Sequence, residues 1–429
     1  MIAVAGSLLL VMLLAMGLPV AFAMAVAGAA GLWFVGDLGI MIGIIKSTTI
    51  SSVASYELIT IPMFILMAEF IIISKIADEL FDATAVWVGR IPGGLGVATV
   101  LAGAFFGAIS GSSTASAATL SSTSIPAMMR QGYSLRFAGG IVATTGTLAM
   151  LIPPSIALIL YGLIAEVSIG RLLIAGIVPG LLVALVLTLV IFVMSLVRPS
   201  QVPRGQAYSI KRKLQMLKVT GPMLALFAMV TGVLYLGVAT PTEASALGAF
   251  GAFVLSTLYR RLTVAGLFHA LSNAARISCM IGLIIIGAHI FGYFFTLTQA
   301  TQTITDWIIG LNAMPYMVLL ILLIIYLILG CFLDQVAILI LTVPVVLPII
   351  VGIGFDPVWF GVVVVMTAEI GMITPPVGMN VFVVSRYTRC PVHEIFAGVL
   401  PFLVAVLSMI VVFAVWPEII MWLPNQMAN

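Results

Sequence analysis

Charged residues are scarce in this chain. Of its 429 residues only 7% are Asp, Glu, Lys or Arg, whereas 63% are hydrophobic. A soluble domain carries roughly 25% charged residues, and a soluble protein of this size could not bury so much apolar surface. A spanning helix needs about 20 apolar residues, and several stretches qualify. The composition therefore excludes a soluble enzyme, and the net charge of +3 is too small to indicate a nucleic-acid partner.

Residues that bind metals or perform catalysis are also few. No phosphate-binding loop of the Walker type is present, so we expect no ATP hydrolysis. We likewise expect no catalytic residues and no organic cofactor. The N-terminus lacks a basic segment and a convincing cleavage site, which favours a spanning helix over a signal peptide. The cysteines and histidines lack the spacing of a metal site or of a disulfide framework, and they are Cys279, Cys331, Cys390, His269, His289 and His393.

Prolines and glycines, by contrast, recur at a fixed interval along the chain. Pro241 follows Pro19 by 222 positions. The same interval separates Pro126 from Pro348, Gly132 from Gly354, Gly139 from Gly361, Pro179 from Pro401, and Pro153-Pro154 from Pro375-Pro376. We therefore predict an all-α membrane protein of two repeats, residues 1–197 and 219–429, joined by a linker over residues 198–218.

Each repeat has the same predicted succession of segments. Two helices flank the first proline, and a third helix and an amphipathic arm follow. Then come an apolar stretch with a polar interruption, a helix broken at the double proline and a long last helix. In the first repeat these segments are residues 3–17, 20–35, 56–74, 76–87, 94–129 (interrupted at 110–114), a helix broken at 153–154, and 172–197.

Lys and Arg mark the cytoplasmic side of a membrane protein. Five crossings per repeat, with residues 94–129 and 314–350 as re-entrant hairpins, invert the second repeat. With the N-terminus outside, 15 of the 17 basic residues then lie inside, and only Lys46 and Arg171 lie outside. Single crossings by these stretches would remove the asymmetry. Inverted repeats with broken helices are typical of secondary transporters, whose sites lie near the membrane midplane.

The polar interruption of the first repeat, Ser110 to Thr114, suits a hairpin tip because Gly111 permits a tight reversal. Hydroxyl and carbonyl oxygens there suit a sodium ion, and helix N-termini suit an anionic substrate. The alternative is a seam of small residues between packed helices.

The double prolines point to a second kind of site. Proline has no N–H to bond the carbonyl four residues earlier, so Ala149 and Met150 in the first repeat should have free carbonyls. Gly371 and Met372 are the equivalents in the second repeat. Sodium could bind these oxygens, whereas a simple kink relieved by hydroxyl side chains and water is the alternative.

Asp334 falls opposite Ser112 in the repeat, at the tip of the second hairpin. An acidic residue at membrane depth is a functional hypothesis by default, and Glu369, before the second break, is similar. The alternative for both is a structural pair with an arginine or a helix-capping role.

These patterns predict two sodium sites and one substrate site. The first sodium site comprises Ser110, Gly111, Ser112, Ser113, Gly146 and Ala149. The second comprises Gly330, Asp334, Gly371, Thr374 and Gly378. The substrate site comprises Ser113, Thr114, Pro154, Asp334, Gln335, Pro376 and Asn380.

Several motifs together resemble one family. They are GLPVAFA at 17–23, IPMF at 61–64, GAISGSSTA at 107–115, IPPS at 152–155, ATPTEA at 239–244 and TPPVG at 374–378. The chain resembles, over nearly its whole length, the large membrane subunit of tripartite ATP-independent periplasmic (TRAP) transporters of the ion-transporter superfamily. The resemblance implies a sodium-coupled elevator in the bacterial inner membrane.

The resemblance also implies partners and a substrate class. A small four-helix membrane subunit should brace the scaffold, and a periplasmic binding protein should deliver an organic acid such as a C4-dicarboxylate or a sialic acid. Because Met1 leads directly into the first repeat, we expect the small subunit to be a separate chain. Asp334 would accept hydrogen bonds from hydroxyls, which favours a sialic acid. The competing functions are a channel, although no charge ring or filter motif is present, and a membrane-embedded enzyme using Asp334 and Glu369.

The charge pattern makes a testable prediction about topology. Single cysteines at Gln206 and Gln426 should react from opposite sides with an impermeant maleimide in intact cells, because the linker is expected inside and both termini outside. Labelling of both cysteines from one side would contradict the odd number of crossings.

Overall fold

The regular elements of this computed structural model are helices throughout the described residues, 2–199, 201–203, 208–310 and 314–427. The predicted linker residues Arg204 and Gln206 and the terminal Asn429 lie outside these ranges. In the predicted arm the side chains of Ile76 and Asp78 are also outside the description. Buried apolar side chains form one continuous cluster through the described residues.

The described residues of the first half form ten α-helices. They are α1 (Ile2–Ala15), α2 (Val20–Val35), α3 (Leu38–Ala54), α4 (Thr60–Ile73), α5 (Ile76–Val88), α6 (Gly94–Ser110), α7 (Ser113–Arg130), α8 (Leu135–Gly146), α9 (Ile156–Ala165) and α10 (Ile169–Val197). Short 3₁₀ segments precede α4 and follow α8, at Tyr56–Ile59 and Thr147–Met150.

The described residues of the second half also form ten α-helices. They are α11 (Ile210–Tyr235), α12 (Pro241–Leu258), α13 (Val264–Leu297), α14 (Ala300–Gly310), α15 (Pro315–Phe332), α16 (Gln335–Gly352), α17 (Pro357–Gly371), α18 (Met379–Thr388), α19 (Val392–Val415) and α20 (Pro417–Met421). A 3₁₀ segment, Pro424–Gln426, ends the described chain.

The helix succession follows the interval found in the sequence. Helix α16 begins and ends 222 positions after α7, and α12 takes the place of α2. The halves differ in one respect: α3, a 3₁₀ turn and α4 occupy the region that α13 spans as one helix of 34 residues. Helix α3 is absent from the segments predicted above. Asp37 caps its start, and the Asp37 carboxylate accepts from Ile40 N at 2.7 Å. Whether the second half is inverted across a bilayer remains a prediction.

Polar residues set the starts of several helices. Asp356 Oδ1 accepts from Val358 N at 2.8 Å and from Trp359 N at 3.0 Å at the start of α17. At α12, Thr240 N donates to Glu243 Oε2 at 2.8 Å and Glu243 N donates to Thr240 Oγ1 at 3.3 Å. Such caps satisfy backbone N–H groups that have no partner within the helix. They fix where a helix begins inside an otherwise uniform apolar sequence.

Six helices in the described ranges are long and apolar enough to cross a membrane. The number rises to seven if α11, whose parts Ile210–Lys218 and Thr220–Tyr235 are bent by 55°, is counted as one span. The other helices are shorter or less apolar. Helix α8 has 12 residues, or about 18 Å at 1.5 Å per residue, against a hydrocarbon core of about 30 Å. Helices of this length end within the bundle, where their terminal backbone groups need protein partners.

The helices pack into two groups. In one group α2 lies against α13, and α4 lies against both α12 and α13. In the other, α6, α7 and α8 pack together, α8 contacts α18 and α19, and α19 contacts α17, which packs against α15 and α16. Side-chain bonds hold the first group across the two halves: Thr60 Oγ1 and Thr242 Oγ1 are 2.9 Å apart, and Asn273 Nδ2 donates to Glu69. Both groups therefore contain helices from both halves.

Close backbone approach holds α8 and α19 together, and it provides a test. A Cβ added at Gly398 would collide with the carbonyl oxygen of Arg136, whereas a Cβ at Gly282 would meet no described atom within 4 Å. Gly398→Ala should lower the free energy of unfolding by about 1–3 kcal/mol through overpacking. Gly282→Ala, also in a helix, should raise it by up to about 1 kcal/mol through propensity. Thermal unfolding of the purified protein in detergent measures both, and equal effects would contradict the close approach.

Candidate functional site

Four interruptions between helices, each taken together with the helix ends beside it, lie in the second helix group. We call them the first turn (residues 110–114), the first break (146–155), the second turn (330–335) and the second break (371–380). The first turn separates α6 from α7, and the second separates α15 from α16. The first break separates α8 from α9, and the second separates α17 from α18. All predicted site residues lie in these segments or at their edges.

The first turn has the predicted reversal at glycine. Gly111 adopts φ +54°, and Ser112 then caps α7 by accepting from Ala115 N at 3.4 Å. Ser110 Oγ lies 2.9 Å from Ser116 Oγ, and Ser112 Oγ lies 3.3 Å from Thr114 Oγ1. The hydroxyls that we predicted as sodium ligands therefore also bond one another, so each keeps only part of its capacity for an ion.

The first break packs directly on the first turn and on α6. A Cβ added at Gly146 would meet Ser113 O at 2.9 Å, and one at Gly107 would collide with Ala149 Cα. The structure thus brings Gly146 and Ser113 of the predicted first sodium site together. Ala149 lies against α6, one turn before Ser110.

The second turn and second break form the equivalent contact. A Cβ added at Gly330 would lie 2.9 Å from Gly371 Cα, and one at Gly378 would lie 3.2 Å from Thr374 O. Glycine is required at both positions of the first pair because the two backbones touch. Gly378 additionally adopts φ +62°. Gly330, Gly371, Thr374 and Gly378 of the predicted second sodium site are therefore neighbours.

Asp334 has the capping role that was considered as an alternative. Its carboxylate accepts from Val336 N at 3.2 Å at the start of α16, and the residue is exposed. Capping engages only one of its two oxygens, so the other is available to a ligand. Its membership of the ion and substrate sites stays a prediction.

The carbonyls that were expected to be free are mostly bonded within the protein. Ser155 Oγ donates to Met150 O. Gly371 O accepts from Thr374 N at 3.0 Å, and Met372 O accepts from Asn380 N at 3.1 Å. The expectation of free carbonyls is corrected at these three positions, because the chain turns back and supplies its own donors. A carbonyl oxygen has a second lone pair, which is what remains for an ion.

The residues predicted to bind substrate have different surroundings. Pro154 is buried and faces a small apolar cavity lined by Met67 and Met223. Pro376 is exposed and Thr114 partly so. Gln335 is fully buried, with Nε2 donating to Val365 O at 3.0 Å. Their role in binding substrate stays a prediction.

One side chain joins the two halves at the centre. Asn380 Nδ2 donates to Ser113 Oγ at 2.6 Å and to Ala143 O at 3.4 Å. The second break is thereby bonded to the first turn and to α8, although 267 positions separate the two side chains in the chain. The bond brings Ser113 and Asn380 of the predicted substrate site together, and their role in binding substrate stays a prediction.

Sequence reasoning left two features out of the site. Glu369 is 1% exposed and neither carboxylate oxygen has a hydrogen-bond partner among the described residues. His289 Nδ1 lies 2.8 Å from Ser52 Oγ in a cavity of about 800 Å³ that Glu166 and Tyr293 also line. The acid within an apolar run signalled Glu369, whereas nothing in the sequence connects Ser52 to His289.

Helices broken in pairs around a buried polar centre, within a bundle of membrane-spanning length, define a secondary transporter. The family model "Tripartite ATP-independent periplasmic transporter, DctM component" matches residues 7–419. The chain belongs to this family, as the motifs predicted. It is a multi-pass membrane protein and a transporter subunit, not an enzyme.

Relatives of known assignment support the family. The chain is 38% identical to the C4-dicarboxylate TRAP transporter large permease protein DctM of Pseudomonas aeruginosa over 86% of each chain. It is 31% identical to the sialic acid TRAP transporter large permease protein SiaM of Vibrio cholerae over 96% of each. It is 33% identical to the isethionate TRAP transporter permease protein DctMQ of Oleidesulfovibrio alaskensis, covering 95% of this chain and 64% of that one.

A solved structure shares the fold. The Alcanivorax borkumensis YdaH transporter superposes with a TM-score of 0.67 over 89% of each chain, at 13% sequence identity. At that identity the likeness concerns the arrangement of helices alone, and it agrees with an all-helical transporter.

The contact between Ser113 and Asn380 can be tested by a double-mutant cycle. Ser113→Ala and Asn380→Ala should each destabilise the protein, and the pair should show a coupling of about 1 kcal/mol, the net worth of a buried hydrogen bond. Thermal unfolding of the four proteins measures it. Ser408→Ala combined with Asn380→Ala is the control, because Ser408 Oγ bonds only to its own helix at Val404 O and is exposed. Additivity at Ser113 would show that the contact carries no energy.

Proposed function

We propose that this chain is the large membrane subunit of a sodium-coupled importer of organic acid anions. The observation that carries the proposal is the bond from Asn380 to Ser113, which joins the second break to the first turn. Transporters place ions and substrate where broken helices converge, since helix N-termini attract anions and unwound carbonyls attract cations. Two such convergences, one in each half, support two sodium sites.

Within this proposal the first turn and the second turn are tips of re-entrant hairpins, and the second half is inverted. The recurrence of helix bounds at 222 positions supports a repeat. The odd number of crossings supports its inversion, because the basic residues then collect on the cytoplasmic side. We further propose an elevator mechanism, in which the group containing α6 to α8 moves against the group containing α2, α4 and α13.

The proposed partners follow from family membership. A small membrane subunit would brace the group of α2, α4 and α13, and a periplasmic binding protein would deliver the substrate. The relative named DctMQ, of which the chain covers 64%, supports a further membrane segment in the assembly. The proposed location is the bacterial inner membrane with both termini in the periplasm.

The proposed substrate is an organic acid of the C4-dicarboxylate or sialic acid class. The relatives at 38% and 31% identity are named for these two substrates, respectively. Asp334, with one carboxylate oxygen beyond its capping bond, would accept from substrate hydroxyls and favours a sialic acid. A sodium ion beside Asp334 would remove its repulsion of a dicarboxylate, which is why both classes belong in the test.

The experiment is uptake into proteoliposomes that contain this chain with its small subunit. A panel of carboxylates is presented, each with its cognate binding protein, under a sodium gradient or with choline in place of sodium. Saturable uptake that requires sodium supports the proposal. Uptake at full rate in choline would remove sodium coupling, and conductance without saturation would favour a channel.

Asp334→Asn gives the residue-level prediction. We expect uptake to fall tenfold or more, equivalent to about 1.4 kcal/mol, while assembly with the small subunit is retained because an asparagine still caps a helix. Glu418→Gln, at an exposed position in α20, is the matched control and should transport almost normally. Normal uptake by Asp334→Asn would assign Asp334 to capping alone and remove the preference for a sugar acid.

A further inference from the structure

Glu369 is the least satisfied polar group in the second helix group. It lies near the end of α17 with 1% of its surface exposed, and both carboxylate oxygens are without hydrogen bonds from described residues. The Ser113 hydroxyl and the Asp334 carboxyl lie close enough to influence the charge state of Glu369. None of the ion pairs among the described residues includes it. A buried carboxylate without donors or a counter-charge is strongly destabilising, so this position holds either a proton or a cation.

Two side-chain amide oxygens are also buried without a hydrogen-bond partner among the described residues. Gln335 Nε2 donates to Val365 O at 3.0 Å, and Asn380 Nδ2 donates to Ala143 O at 3.4 Å. A backbone carbonyl can only accept, so these bonds fix which end of each amide carries the nitrogen. The opposite ends, Gln335 Oε1 and Asn380 Oδ1, are buried and have no donor among the described residues. Both residues are fully buried.

These oxygens belong to one neighbourhood. Val365, to which Gln335 is bonded, lies one helical turn before Glu369 on the same face of α17. Asn380 is bonded to Ser113, and the Ser113 hydroxyl in turn lies close enough to influence the charge state of Glu369. The first turn, the second turn and the second break therefore each place a buried polar side chain beside α17 or one contact away from Glu369.

We propose that Glu369, Gln335 Oε1, Asn380 Oδ1 and Ser113 Oγ form a third monovalent-cation site, for sodium, between the two predicted sodium sites. The proposal rests on the sodium-coupled function proposed above and deepens it. Carboxylate, amide and hydroxyl oxygens are the ligands that hard cations prefer. The two other sites rely on the backbone of the turns and breaks, whereas this one is built mainly from side chains, and it shares Ser113 with the first.

Occupancy would serve coupling in a direct way. The cation would neutralise Glu369 and give the amide oxygens a partner, and its ligands come from both halves of the chain. The arrangement of turns and breaks would then be complete only with the ion bound, and the ion would move with the substrate.

Binding can be measured without transport. The full chain is purified in detergent, and thermal unfolding is followed in sodium chloride and in choline chloride. Glu369→Gln replaces the carboxylate by an amide of the same size, whose N–H groups can donate to the orphaned oxygens. We expect this variant to be more stable than the wild type in choline and to gain less stability from sodium. Glu418→Gln should match the wild type in both salts.

Transport gives the stoichiometry. In proteoliposomes the Hill coefficient for sodium should fall from about three to about two in Glu369→Gln, since it is bounded by the number of coupled sites. The net charge moved per substrate should fall by one elementary charge. A second variant, Gln335→Leu, removes one amide oxygen and keeps Glu369, and it should weaken sodium binding while leaving the Hill coefficient near three.

The outcomes separate this inference from the proposed function. A wild type that ignores sodium in both assays would contradict the proposed function itself. A sodium-dependent wild type with an unchanged sodium response in Glu369→Gln would overturn only the third site. An infrared band of a protonated carboxylic acid that disappears in Glu369→Gln would also overturn it, because Glu369 would then hold a proton in place of a sodium ion.

Discussion

Backbone and polar groups that end inside an apolar bundle must find partners within the protein, and the second helix group is organised around that requirement. Water satisfies helix ends at the surface of a soluble protein, but lipid cannot. Here Ser112 and Asp334 cap the helices that begin within the bundle. Ser155 and the backbone N–H of Asn380 return to the carbonyls of Met150 and Met372, which the double prolines leave without helical donors. Interrupted helices are tolerated because each interruption provides its own bonds.

The two halves use the same succession of helices but place different chemistry at equivalent positions. Ser113 in the first half corresponds to Gln335 in the second, 222 positions later, and Thr147 corresponds to Glu369. The first half supplies mainly hydroxyls to the centre, whereas the second supplies a carboxylate and two amides. Because the backbone arrangement is shared, this difference in side chains is what gives the centre its excess of acceptor oxygens.

Contacts between the halves also distribute the helices into two groups that each contain both halves. Gly28 of α2 faces the backbone of Phe291 in α13, where an added Cβ would lie 2.8 Å from its nitrogen. Asn380 of the second half bonds to Ser113 and Ala143 of the first. The cavity beside His289 lies where α3 and α13 meet α9 and α16. Neither half could form either group alone, because each group is built from helices of both halves.

The sequence by itself determined the class, the family, the interruptions and several helix bounds of the first half, because glycine, proline and capping residues act on their immediate neighbours. It correctly marked the reversal at Gly111 and the breaks at both double prolines. It missed α3, whose serine and threonine content hides a helix. Only the tertiary structure decided which carbonyls remain open, that Asn380 reaches Ser113, and that the Glu369 oxygens are buried with no hydrogen-bond partner among the described residues. Those outcomes depend on contacts between residues more than 200 positions apart, and local pattern carries no information about the atoms that such contacts bring together.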